Sequence, residues 1–79
     1  MKRLLRNGDT VELVSPTNAE ALDYWRDRGI TILPIYRGVV VRDELEELGY
    51  QIVQVKTDAP WAVGGIVQTA ADRLQKVNL

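Results

Sequence analysis

Short stretches of apolar residues recur along the chain, and Gly, Pro and Asn separate them. Thr10-Val11-Glu12-Leu13-Val14 follows the turn signal Asn7-Gly8-Asp9 and alternates well enough to predict a strand. Ser15-Pro16-Thr17-Asn18 stops it. Thr17 or Asn18 can cap a helix, in which Ala21, Leu22 and Trp25 fall at helical spacing. Gly29 is a suitable C-terminal stop, so a helix is expected over about 18–28, with Leu22 and Trp25 packing it onto the strands. Ile30 to Ile35 is apolar and β-branched, but Pro34 suits an edge strand or an irregular arm. Gly38 to Val41 and Tyr50 to Thr57 read as strands. Residues 42–48 fit either a charged hairpin loop or a short helix, because Val41, Leu45 and Leu48 share a helical face and Gly49 could cap it. Asp58-Ala59-Pro60 opens a turn-rich stretch. It runs through Gly64-Gly65 to a strand at Ile66 to Thr69. Ala70 to Leu74 then reads as one helical turn, and Gln75 to Val77 as a short closing strand.

Two architectures accommodate these elements. In one, every strand joins a small antiparallel barrel, mainly β, with the helix inserted between the first two strands. In the other, helices at 18–28 and 41–48 alternate with strands in a small α/β layer. Parallel strands need crossovers and a covered sheet, and 79 residues leave a poor core for both. The glycine spacing favours the barrel, as a single domain.

The order of several weak motifs carries a resemblance. Gly8, Asp9 and Val11 lead the first strand, and Gly38 with Val39 and Val41 follows. Next come Gly49, Tyr50 and Ile52, and the chain closes with Ala70-Ala71-Asp72-Arg73-Leu74 and Val77. This framing resembles SH3-like small barrels, in which a one-turn 3₁₀ helix precedes the last strand. Residues 15–37 would be an enlarged first loop. Within that class the last third is similar to the type II dihydrofolate reductases, homotetramers that bind NADPH and dihydrofolate in a central pore. Their pore-lining Val-Gln-Ile-Tyr reads Val67-Gln68-Thr69-Ala70 here, so the resemblance implies pore or cofactor contacts at Val67 and Gln68. Glu12 to Ser15 contains no counterpart of the family's functional lysine. Fold is therefore the main implication, and fold does not imply function.

Composition narrows the chemistry. Apolar residues are 46% and charged residues 27%, an ordinary globular balance. Cysteine and histidine are absent, which removes disulfides, thiolate nucleophiles, Ser-His triads and the usual zinc ligands, so no metal is expected. The net charge is −1, against a dedicated nucleic-acid binder, although Lys2, Arg3 and Arg6 make a basic start. No apolar run reaches a membrane-spanning length, and Met1 to Arg6 does not lead into a signal-like apolar region. The expectation is a cytoplasmic protein. A core of this size supplies few kcal/mol, and without disulfides or metals self-association is the expected support.

Candidate residues can each be weighed against an ordinary structural role. Asp43, Glu44 and Glu47 would bring carboxylates together on a helix over 42–48, where a solvated face is the commoner outcome. Asp9 suits a bond to its own turn. Gly64-Gly65 precedes a strand, so a tight turn is expected, not a phosphate cradle. The aromatics are Tyr24, Trp25, Tyr36, Tyr50 and Trp61, all with a polar handle. Trp61 lies in a loop, as a binding anchor or as cover for the barrel end. The expected function is a non-catalytic binding module that self-associates and docks a protein partner. Its contacts would be Trp61, Tyr36, Tyr50 and the arm Ile30 to Ile35, with Trp25 and Arg37 as further candidates. The alternatives are an oligomeric NADPH-binding reductase using Val67 and Gln68, and a nucleic-acid-binding barrel using Lys2, Arg3, Arg6 and Arg37.

Overall fold

Alternation over Thr10–Val14 produces the first strand, β1, with Val11 and Leu13 turned inward. The computed structural model describes residues 4–45 and 49–77. After β1 come the helix α1 (Ala19–Arg26) and the strands β2 (Ile35–Leu45), β3 (Gln51–Thr57), β4 (Ile66–Ala70) and β5 (Gln75–Lys76). A turn at Val63–Gly65 precedes β4, and a one-turn 3₁₀ helix at Ala71–Arg73 separates β4 from β5. The protein is mainly β. Its strands form one sheet in the order β4-β3-β2-β1-β5, and all four pairings are antiparallel. The α/β layer is therefore overturned: consecutive strands pair directly and no parallel crossover is made. The order ends at β4 and β5, so the pairings define an open sheet with one helix, not a closed barrel.

Residues 42–45 correct the helical reading of 42–48. Arg42, Asp43, Glu44 and Leu45 pair with Gln54, Val53, Ile52 and Gln51, and β2 continues through them. Residues 46–48 lie outside the described residues. A bulge between Val40 and Arg42 shifts the register and changes the phase of the alternation, leaving Val41 and Arg42 both exposed.

The core is built largely from valine. Val11, Val40, Val53 and Val55 are almost wholly buried, and Leu5, Leu13 and Ala71 join them. Trp61, Val67 and Leu74 pack against this cluster from its margins. Each fully buried aliphatic side chain contributes about 1.5–3 kcal/mol. Gly38 lets β2 and β3 approach here. A Cβ at that position would collide with Val55 Cγ1 and come within 2.8 Å of the Lys56 carbonyl oxygen. Gln51, also buried, ties the start of the chain to β3: its Oε1 accepts from the Leu4 and Leu5 amides at 2.9 and 3.0 Å, and its Nε2 donates to the Leu5 carbonyl.

Helix α1 stands apart from that core. Asn18 is its cap, accepting from the Ala21 amide at 2.7 Å, and none of its residues is buried. Leu22 and Trp25, expected to pack the helix onto the strands, are exposed and half-buried respectively, and neither joins the core cluster. The radius of gyration is 13.6 Å, with a long dimension of 44 Å. A compact chain of this length would have about 12 Å. Among the described residues, no helix is long and apolar enough to cross a membrane.

Candidate docking groove

Alternation through Val11 and Leu13 places Ser15 on the inward side, just past the end of β1, where it is 5% exposed. A hydroxyl there must be hydrogen-bonded, and this one is. Ser15 Oγ donates to the Leu33 carbonyl at 2.6 Å and accepts from Trp61 Nε1 at 3.0 Å. The Ser15 amide donates to the Pro34 carbonyl at 2.9 Å. Nearby, the Tyr36 hydroxyl accepts from the Leu33 amide at 3.1 Å, and the Tyr36 ring meets Trp61 edge to face at 6.4 Å. Ser15 thus joins the end of β1, the arm before β2 and the loop after β3. The arm pairs in no ladder, the irregular course of the two that Pro34 allows.

This bracing holds open an apolar groove of about 420 Å³. Val14, Pro16, Leu22, Ile32, Leu33, Pro34 and Ile35 line it, with Ser15 and Thr17 as its polar members. Val14 is 72% exposed and Leu33 54%, so the apolar rim faces solvent. The Ser15 hydroxyl is committed to a carbonyl and an indole, so it is not a nucleophile held by a base. The surface is suited to holding an apolar segment.

The structure brings together only part of the expected contact set. Trp61 and Tyr36 touch, and Trp61 braces the groove while packing against the core. Arg37 lies next to Tyr36 on β2 but faces the other side, by a shallow hollow of about 360 Å³ lined also by Thr10, Lys56 and Asp58. Tyr50 is exposed beside Gln51, whose partner Leu45 is nine residues along β2 from Tyr36, roughly 30 Å of strand. It does not share a surface with Trp61. Trp25 stays on α1, edge to face with Tyr24 at 5.0 Å, and Arg28 covers the Tyr24 ring at 3.4 Å. Val67 packs on the core while Gln68 is exposed, so the two face opposite ways and only Gln68 is free to line a pore.

The carboxylates are also separated. Asp43 and Glu44, each expected to meet Glu47 on one helical face, instead lie in β2 with their side chains on opposite sides of the strand. Asp43 Oδ2 accepts from the Asn7 amide at 3.2 Å, and Glu44 pairs with Arg42. Glu47 lies outside the described residues, as do Lys2 and Arg3. Asp9 closes its turn, accepting from the Arg6 amide at 2.9 Å. Gly64 and Gly65 take φ of +66° and +76°, a turn that side-chained residues resist. Among the described residues, no group of three or more acidic, histidine or cysteine side chains could hold a metal. Ser15 and Gln51 were not singled out by motif, yet both sit where the alternation of their strands turns inward.

Comparison of the chain with protein-family models, with curated proteins and with solved structures gave no significant match.

Proposed function

We propose that this protein is a non-catalytic interaction module that docks an apolar segment of a protein partner in the groove between Val14 and Leu33. The observation that carries this reading is the groove itself: an exposed apolar rim around a floor fixed by Ser15, Trp61 and Tyr36. Rigid support beneath exposed apolar side chains limits the entropy lost on binding. We also read the fold as an SH3-like small barrel left open between β4 and β5. The sheet order, the one-turn helix before β5 and the bulge in β2 support that reading.

The test is selection of peptides from a random library against the full chain, followed by mapping with amide chemical shifts. Selected peptides should perturb Val14, Leu22, Leu33 and Ile35. Val14→Glu should weaken them at least about tenfold by placing a charge on the apolar rim, with the unfolding curve unchanged. Peptides that bind elsewhere, or that ignore Val14→Glu, would overturn the reading.

A further inference from the structure

Strand β4 is an end of the sheet and carries none of the usual guards. Ile66-Val67-Gln68-Thr69-Ala70 has no charge and no proline, and its register on β3 is regular over all five residues. The other end, β5, is only two residues long and includes Lys76. Proteins commonly blunt sheet edges with charge, proline, bulges or short length. β5 follows that practice and β4 does not.

We propose that β4 pairs antiparallel with β4 of a second copy of this chain, about a twofold axis at Gln68, giving one continuous ten-stranded sheet. The strand is self-complementary in this register. Gln68 faces Gln68 of the partner subunit, Val67 faces Thr69 of the partner subunit, and Ile66 faces Ala70 of the partner subunit. No like charges meet, and the chain's net charge of −1 adds little repulsion. On each side Gln54 already contacts Gln68, Nε2 to Oε1 at 3.4 Å, so the outer row becomes four amides in line. Val63, the most exposed of the large apolar residues at 91%, lies in the turn just before this edge. An isologous contact of this kind closes at two copies and does not propagate. The proposal does not depend on the groove, which lies at the β1 side of the sheet.

Sedimentation equilibrium of the full chain tests it with a charge exchange. The wild-type chain should dimerise. Gln68→Lys and Gln68→Glu should each weaken the dimer at least about tenfold, because like charges directly opposite on paired strands repel. An equimolar mixture of the two variants should form dimers again. Gln68 is exposed, so both variants should keep the wild-type circular dichroism spectrum. The recovery on mixing would itself show that both are folded. A monomeric wild-type chain, a dimer indifferent to both charges, or a loss that mixing does not restore would each overturn the proposal.

Discussion

At Gly38 the absence of one carbon decides how closely two strands lie. The obstacle a Cβ would meet includes the Lys56 carbonyl oxygen, which is backbone and belongs to the rung beside it, so it cannot turn aside as a side chain would. Gly38→Ala should therefore lower stability by about 2 kcal/mol or more, seen as a lower urea midpoint with an unchanged slope. Gln51 is decisive in a different way. Its amide supplies the donor and acceptor that a neighbouring strand would offer to Leu5, and Leu5 is 3% exposed within the core. Gln51→Leu keeps the bulk but strands two amides and a carbonyl. The expected cost is about 2–3 kcal/mol in thermal or urea unfolding, with Leu5 the first core residue to lose protection.

Among the elements, α1 is the one whose formation does not rest on the core. Eight residues are too few for an isolated helix, and none of them is buried, so its cap and its flanking arm carry its stability. Asn18→Ala should remove about 1 kcal/mol from the helix and raise amide exchange across 19–26, while β2 and β3 keep their protection. Strands β1 and β3 could be read directly because their alternation is unbroken. Strand β2 could not, for a local reason. Its bulge sets Val41 and Arg42 both outward, and the charged residues beyond it share a spacing with a helical face. Pairing with Gln51 to Gln54 then overrides local preference. The site was less legible still. Tyr36 and Trp61 meet across 25 residues of chain, and no local pattern announces that contact. Ser15 and Gln51 did leave a signal, since both extend a row of inward positions past the last apolar one.

Over the whole molecule, contacts divide into a consecutive meander, β1-β2-β3-β4, and a closure that brings β5 beside β1 through Val11↔Lys76 and Glu12↔Gln75. The closure spans most of the sequence, so it carries the larger loop entropy. Beyond the sheet lies the excursion from Ser15 to Pro34, and it begins and ends at one rung, Val14↔Ile35. Its two ends are already neighbours whatever runs between them. Exchanging residues 17–32 for a short turn, which keeps Leu33 and its bonds to Ser15 and Tyr36, should leave the sheet cooperative, read as a single unfolding transition in circular dichroism, although the groove would be gone. Doubling the length of such a loop costs only about 0.6 kcal/mol. The excursion is therefore a cassette: its length and sequence can drift, or be replaced by a foreign segment, on a frame that does not register the change.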